Sequence, residues 1–108
     1  MDDYIKQNFC YTKGTKEYFQ VSLCKDGILG GCIIINEDVM TYRSEKITIA
    51  DEYKNLDMKY KDILELNLKE SLLGSYVSVK MNNGKEYKFL MYDVDEFISV
   101  LRKKGVNV

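Results

Sequence analysis

The side chains that carry most enzyme chemistry are sparse in this sequence of 108 residues, and histidine is absent altogether. Without histidine, a Ser-His-Asp triad, a Cys-His pair and every zinc motif with histidine ligands are excluded. A catalytic cysteine would need another device to lower its pKa. Cys24 and Cys32 lie in apolar stretches, where a small buried thiol is the ordinary interpretation. We therefore predict no catalytic residue.

Carboxylates form short clusters at Glu37-Asp38, at Asp51-Glu52 and between Asp93 and Glu96. None of them follows the alternating spacing of a calcium loop. The first cluster fits a turn, and Asp93 and Glu96 fit the start of a helix, so local structure accounts for most of these side chains. We predict no metal site and no cofactor. A small enzyme that recruits a cofactor or a partner chain is kept as an alternative.

Two further patterns have both a functional and a structural interpretation. Gly30-Gly31 could cradle a phosphate, but the glycine spacing of nucleotide-binding loops is absent and no helix pattern follows. Nine tyrosines and four phenylalanines with interspersed lysines could stack on bases. Most of these aromatic residues alternate along strands, however, and a net charge of -1 provides no attraction to phosphate. We therefore predict no nucleic-acid partner.

The elements that would position these residues are clearest near the C-terminus. Alternating apolar and polar residues predict two strands, over residues 76–81 and 87–91. A three-residue loop ending in Gly84 would place Val79 opposite Tyr87 and keep the apolar side chains of both strands on one face. We therefore expect a type I turn with Gly84 in the left-handed conformation, as a G1 bulge.

After this hairpin, apolar residues spaced i, i+3, i+4 and i+7 predict an amphipathic helix with the stripe Val94, Phe97, Ile98 and Leu101. Asp93 is the expected N-cap, and Glu96 completes a capping box. Tyr92 would pack on Phe97 as a hydrophobic staple, and Gly105 would end the helix. A helix of about eleven residues is marginal alone, so the stripe must pack on the sheet.

The preceding residues predict further strands joined by turns, over residues 17–24, 28–35, 39–43, 56–60 and 63–69. Gly30-Gly31 predicts a bend or bulge in the second strand, where another backbone passes close. Residues 44–55 predict a short strand extension and then a loop. The fold class is therefore mainly β, a β-barrel or sandwich of about seven antiparallel strands, whose open end is capped by one C-terminal α-helix.

Length and composition predict one domain over residues 17–108, preceded by a weakly structured N-terminal arm over residues 1–16. Three cysteines without C-x-x-C spacing argue against a disulfide framework and favour a reducing compartment. The first residues lack a charged-then-apolar leader, and no apolar run is long enough to span a membrane. We therefore expect a cytoplasmic protein.

Residues 31–44 contain a glycine, an apolar run, a short polar turn, a second apolar run and a serine. This segment resembles a strand-turn-strand unit of the pleckstrin-homology-like (PH-like) superfold, in particular its bacterial PH and GRAM-type branches. Residues 58–63 resemble that family's apolar-x-aromatic-x-acidic-isoleucine step into the next strand, and residues 84–89 resemble the strand that leads into its helix. The resemblance covers residues 17–104. It implies a scaffold that commonly binds phosphoinositides, peptides or other proteins.

In lipid-binding members, the resemblance implies a phosphate site at the loop between the first two strands. The corresponding loop here contains Lys25, with Lys16 and Arg43 as neighbours, and these three are the candidate ligand-binding residues. Our leading hypothesis is a non-enzymatic PH/GRAM-like binding or protein-interaction module whose partner is a protein segment or a second copy of itself. Sheet edges in small β domains invite pairing, so we expect a homodimer. The alternative is a peripheral lipid- or phosphoinositide-binding domain that uses the three basic residues.

Overall fold

The computed structural model describes residues 16–25, 27–44 and 54–108. They form, in chain order, β1 (Tyr18–Cys24), β2 (Ile28–Ile35), β3 (Val39–Arg43), β4 (Asn55–Lys59), β5 (Ile63–Ser71), β6 (Gly74–Met81), β7 (Glu86–Met91) and the helix α1 (Val94–Lys103). The predicted mainly β fold class with a C-terminal helix is confirmed. All but the last residue of the predicted arm, and residues 45–53 of the predicted strand extension and loop, lie outside the described residues.

The strands form one antiparallel sheet in the order β4-β3-β2-β1-β7-β6-β5. Its two halves meet where β1 pairs with β7, through Ser22 opposite Leu90 and Leu23 opposite Phe89. This junction places the first and seventh strands side by side in the middle of the sheet. In the described part of the chain, β4 and β5 are therefore the two edge strands.

Inward-facing residues of both halves and of α1 form one buried core. Phe97 of α1 meets Phe19 of β1 edge-on, with ring centroids 5.2 Å apart and an interplanar angle of 81°. Tyr42 of β3 packs on Phe89 of β7 with centroids 5.5 Å apart. Edge-to-face and tilted contacts of this kind suit aromatic rings. The prediction that the apolar stripe of the helix packs on the sheet is confirmed.

The β6–β7 hairpin has the predicted register, with Val79 opposite Tyr87. Gly84 adopts a left-handed conformation, with φ of 91°. Its N–H donates to the Met81 carbonyl at 3.0 Å, and the Met81 N–H donates to the Lys85 carbonyl at 2.8 Å. These two hydrogen bonds define a type I turn with a G1 bulge, so the turn prediction is also confirmed.

The two ends of α1 differ in how well the sequence predicts them. Gly105 ends the helix as predicted, with φ of 90°. Its N–H donates to the Arg102 carbonyl, and the Val106 N–H donates to the Leu101 carbonyl, each at 3.0 Å, as in a Schellman motif.

Among the residues with described positions, no helix is long and apolar enough to cross a membrane.

At the N-terminus of α1, the predicted capping box is wrong. The Asp93 side chain makes no cap hydrogen bond; it accepts instead from Lys16 Nζ at 2.6 Å. Glu96 is only 3% exposed, and its Oε2 accepts the backbone N–H of Lys16 at 3.3 Å. The Tyr92 ring is 83% exposed, so the staple is not formed either. Lys16, which is far away in sequence, donates to both carboxylates.

Gly31 confirms the predicted close approach of another backbone. A Cβ at this position would lie 2.3 Å from the carbonyl oxygen of Arg43 on β3 and 3.0 Å from the Tyr42 ring. At Gly30 the same addition would meet nothing within 4 Å. The β1–β2 register continues unshifted through both glycines, so the alternative of a bulge is wrong for this pair of strands.

Candidate interaction surface

Strand β5 lies at the sheet edge and pairs with β6 on one side, while no strand lies on its other side among the residues that the structure describes. A two-residue turn, Leu72-Leu73, joins it to β6, with Ser71 opposite Gly74. In such a hairpin the closing residues form a hydrogen-bonded pair, and hydrogen-bonded and non-bonded pairs alternate away from the turn. The backbone N–H and C=O groups of Leu66, Leu68 and Glu70 therefore point to the open edge.

Among residues 16–25, 27–44 and 54–108, the large exposed apolar side chains concentrate on this strand and its turn. We define the leucine edge as four residues with these exposed fractions: Leu64 64%, Leu68 46%, Leu72 105% and Leu73 61%. Contiguous exposed apolar surface on a small domain marks an interaction site more often than scattered single residues do.

Leu64 and Leu68 are exposed for different structural reasons. Leu68 lies opposite the fully buried Val77 and so belongs to the inner face of the sheet. At the sheet edge, however, no other element fully covers the inner face in the described part of the chain. Leu64 lies in the register shift between Ile63 and Glu65. A bulge of this kind re-aims a side chain. The core thus ends in an apolar margin that remains open to water.

The turn itself does not need its leucines. Two-residue hairpin turns favour Asn, Asp and Gly at their centre. Here the Ser71 hydroxyl donates to the Gly74 carbonyl at 2.9 Å and accepts the Leu73 N–H at 3.2 Å. Gly74 has φ of 132°, a conformation suited to glycine. Ser71 and Gly74 hold the turn, so the exposed leucines have no evident local role.

An exposed aromatic residue adjoins the turn. The Cδ1 atom of Tyr92 would be 3.3 Å from a Cβ placed on Gly74. Tyr92 and the leucine edge together include five of the seven large hydrophobic residues that are exposed in the described part of the chain. Tyr92, the residue that follows β7, therefore lies beside the turn that carries Leu72 and Leu73.

The other edge strand, β4, has the opposite character. Its inward residues Leu56 and Met58 are buried, and its outward residues are polar. Asp57 accepts the Thr41 hydroxyl at 2.6 Å, and Asn55 accepts from Arg43 Nε at 3.0 Å. Short length and charged or polar side chains are the usual protection of a sheet edge. With nine residues against five, β5 is longer and more apolar.

The outer face of β5 carries Glu65, Asn67 and Lys69, so both signs of charge are present on one short strand. The Asn67 amide donates to Glu65 Oε2 at 2.6 Å, which orients this carboxylate along the strand. A partner strand at this edge would therefore meet Leu66, Leu68 and Glu70 on the inner face and a polar, charged row on the outer face.

The three basic residues predicted as a ligand site are separated by the fold. Lys16 precedes β1 and Lys25 follows it, so nine residue steps, about 30 Å of extended chain, lie between them. Lys16 pairs with Asp93 and also lies over the Phe19 ring, 5.1 Å from its centroid. Arg43 ends β3, two strands away from β1. Of the three, only Lys25 lies in the β1–β2 turn, and Lys16 is paired with Asp93, so the ligand site at this turn stays a prediction.

A second candidate region is an open cleft of about 550 Å³ at the C-terminal end of α1. Its lining is Glu37, Asp38, Lys59, Tyr60, Lys61, Lys104 and Gly105. The two carboxylates offset the lysines, and the C-terminal end of a helix is its negative end. This arrangement does not favour an anion over a cation, and it gives the cleft no defined ligand.

Two tyrosines have perturbed acidity for structural reasons. Burial raises the pKa of Tyr60 to about 12, and its hydroxyl donates to the Asn36 carbonyl at 2.7 Å. Burial also raises the pKa of Tyr42, whose hydroxyl donates to the Leu29 carbonyl at 2.6 Å. Both phenols stay neutral and donate hydrogen bonds that connect neighbouring segments of the chain.

Among the described residues there is no group of three or more Cys, Asp or Glu side chains placed to hold a metal ion.

Sequence reasoning predicted the β5 strand but not its leucine edge. Alternation of apolar residues over 63–69 indicates a strand in the same way for an edge and for a centre position. The signal that was present is Leu72-Leu73, an apolar pair where a turn would be expected to carry Asn, Asp or Gly. Such a local mismatch is the kind of feature that accompanies functional sites.

Comparisons with known proteins show a similar fold and leave the function open. The sequence matches no protein-family model, and no curated protein matches it. Among solved structures, the chain is similar to the C-terminal domain of an unknown protein from Leishmania infantum, with a TM-score of 0.67 and 13% sequence identity over 95% of each chain. Similarity at this identity shows a shared fold alone.

Proposed function

We propose that this chain is a non-enzymatic protein-interaction module of the PH-like superfold, which captures an extended protein segment along β5. The observation that carries the proposal is the leucine edge, where exposed apolar side chains lie beside backbone groups of a long edge strand that pair with no other strand in the described part of the chain. Either feature alone is ordinary, but together they form the two components of strand recognition.

The assignment to the PH-like superfold is supported by the order of elements, seven antiparallel strands followed by one helix that packs on the inner face. Function does not follow from that fold, so the binding role rests on the surface. The non-enzymatic role is supported by the absence of histidine from the sequence. Cys24 and Cys32 are free thiols, which supports a reducing, cytoplasmic location.

Recognition by strand addition divides its tasks between backbone and side chains. The outward N–H and C=O groups of Leu66, Leu68 and Glu70 would hydrogen-bond to the incoming strand whatever its sequence. Leu68 and the turn leucines would select apolar residues in the segment. Burying the exposed parts of the four leucines contributes about 4–8 kcal/mol. This is comparable to the cost of association, so we expect reversible complexes with dissociation constants on the order of micromolar.

A peptide selection tests the proposal. Random peptides of nine residues, the length of β5, are displayed and selected on the protein, and synthetic copies of the enriched sequences are titrated against Leu68→Ala and Leu68→Pro. Both variants lose the side chain, and the proline also removes an N–H that points to the open edge, away from the β6 ladder. We expect Leu68→Pro to bind about tenfold more weakly than Leu68→Ala.

Thermal unfolding establishes that both variants are folded before binding is compared. Peptides that bind both variants equally would place the binding surface away from β5, and a selection that enriches no peptide would also contradict the proposal. Turnover of ester, phosphoester or peptide substrates that a single substitution abolishes would overturn the non-enzymatic role.

A further inference from the structure

We infer that the strand received by β5 is β5 of a second copy of this chain, paired antiparallel about a twofold axis at Asn67. The inference rests on the proposed function and names its partner. A homodimer of this kind is isologous, since the same strand contributes the same residues from both sides. The pairing would join two seven-stranded sheets into one continuous sheet.

Symmetry restricts the register strongly. A twofold axis perpendicular to the sheet keeps the inner faces of both copies on the same side, so inner-face residues must pair with inner-face residues. Opposite residues in an antiparallel pair also share a face. Among the registers that satisfy this rule, each is defined by the residue of β5 that lies on the axis and therefore faces itself.

Only one of these registers places opposite charges together. With Asn67 on the axis, Glu65 of each copy faces Lys69 of the other, which gives two ion pairs per dimer. With Glu65 or Lys69 on the axis, like charges face each other. With Leu66 or Leu68 on the axis, Glu65 and Lys69 each face a neutral residue. Opposite charges directly across a strand pair are favourable and like charges are unfavourable.

The same register agrees with the direction of the backbone groups. Leu66 of one copy faces Leu68 of the other, and these are residues whose N–H and C=O point to the open edge. Each such pair exchanges two backbone hydrogen bonds. Glu65 and Lys69 then form non-hydrogen-bonded pairs, in which the Cα atoms are about 4.5 Å apart and the side chains are closest. The hydrogen-bonded pairs carry the leucines, and the non-bonded pairs carry the charges.

Burial at the inner face supports the same partner. Leu68 lies on the inner face at the margin of the core, and its side chain is 46% exposed. In the paired state, Leu66 of the second copy would lie beside it and continue the core across the dimer. Strand β5 is thus complementary to itself through the Leu66–Leu68 pairs, the Glu65–Lys69 pairs and its outward backbone groups, while Leu64 of each copy faces Glu70 of the other.

A charge-swap experiment tests the register. Glu65→Lys and Lys69→Glu are prepared as single variants, and dimerisation is measured by sedimentation velocity up to about 100 μM. In either single variant alone, like charges face each other at both symmetric positions, and we expect the dissociation constant to rise at least tenfold.

Mixing the two single variants should restore pairing. Both positions are basic in Glu65→Lys, and both are acidic in Lys69→Glu. In an equimolar mixture, a basic copy therefore faces an acidic copy at both cross-strand pairs, so heterodimers should form with the wild-type affinity. The double variant, in which the two charges are exchanged within one chain, should also dimerise.

Matched controls carry the same changes of charge on exposed residues next to β1, which lies three strands away from β5: Glu17→Lys before β1 and Lys25→Glu in the β1–β2 turn. We expect both controls to dimerise like the wild type. Dimers that persist in both single β5 variants would overturn the inference, because another surface would then hold the copies together. A mixture that stays monomeric would overturn it as well, since rescue depends on the Asn67 register.

Failure of this inference can be told apart from failure of the proposed function. A wild-type protein that sediments only as a 12.6 kDa species would overturn self-pairing. In that case the peptide selection on Leu68→Ala and Leu68→Pro still decides whether β5 receives a strand from a different protein.

Discussion

Two adjacent glycines in β2 provide a sharp test of how this sheet is packed. Gly30→Ala and Gly31→Ala add the same methyl group to the same strand, one position apart. At Gly31 the new Cβ would lie 2.3 Å from the Arg43 carbonyl oxygen. At Gly30 it would meet nothing within 4 Å. The two substitutions therefore differ in sterics while sharing chemistry and secondary structure.

The expected effects have opposite signs. An ordinary van der Waals contact requires more than 3.4 Å, so at Gly31 the backbone of β3 must move by about 1 Å, together with the Tyr42 ring that packs there. Overpacking of this kind costs about 1–3 kcal/mol. Gly30→Ala should be neutral or stabilising by up to about 1 kcal/mol, because it reduces the conformational freedom of the unfolded chain.

Urea denaturation of the two variants measures this difference directly. We expect the free energies of unfolding to differ by about 1–4 kcal/mol, which corresponds to roughly 5–25 °C in melting temperature for a domain of this size. The Ser44 hydroxyl hydrogen bond to the Gly30 carbonyl remains available in both variants. Equal stabilities for Gly30→Ala and Gly31→Ala would refute the close approach of β2 and β3 at Gly31.

Three further predictions concern the turn, the tyrosines and the basic residues. Replacing Leu72-Leu73 by Asn-Gly should leave the unfolding free energy unchanged or raise it by about 0.5 kcal/mol, yet weaken peptide or self binding; a large loss of stability would show that the leucines support the fold. Burial raises the folded-state pKa of Tyr60 to about 12 from its ordinary value of 10.0. Its stabilising contribution should therefore be complete below pH 10 and be lost as pH rises from 10 to 12. Denaturation measures this dependence, and a free energy of unfolding that stays constant across that interval would contradict the burial of this phenol. The protein should not co-sediment with anionic vesicles in a salt-dependent way, since the three predicted basic residues lie on different elements. Salt-sensitive co-sedimentation that Lys25→Ala abolishes would support the lipid-binding alternative.

The parts of this fold that the sequence predicts are those governed by short-range rules. The register of the β6–β7 hairpin follows from alternation and from Gly84, which are both local signals, and the structure has Val79 opposite Tyr87 as expected. The end of α1 at Gly105 is equally local. Each of these features is decided by residues within one turn or one strand pair, so no knowledge of the rest of the chain is needed.

The N-terminus of α1 shows where local reasoning fails. Asp93 and Glu96 have the spacing of a capping box, but Lys16 binds both carboxylates from 77 and 80 residues away. Its ammonium group is a stronger partner for Asp93 than a backbone N–H, and its own backbone N–H meets Glu96 at the buried side of the helix. A capping rule that considers four residues has no means of including a contact of that range.

The candidate site could not be predicted for a related reason, since edges are a property of topology. The pairing of β1 with β7 closes the middle of the sheet and leaves β4 and β5 outside. Nothing in the alternation over residues 63–69 shows that a fully apolar inner row would end without cover. Once β5 is known to be an edge strand, leucines that the sequence pattern assigns to the core are understood as part of the exposed surface.

The contrast between the two edges is what makes an interaction role for β5 the economical explanation. A sheet edge is a hazard for any small domain, and β4 avoids it with five residues and hydrogen-bonded polar side chains. The same chain leaves β5 long, with two exposed leucines in the strand and two more in the turn that follows it. Solubility alone would favour the β4 pattern at both edges. Apolar residues retained at one edge only, and on a turn that does not need them, are best explained by a strand that pairs there.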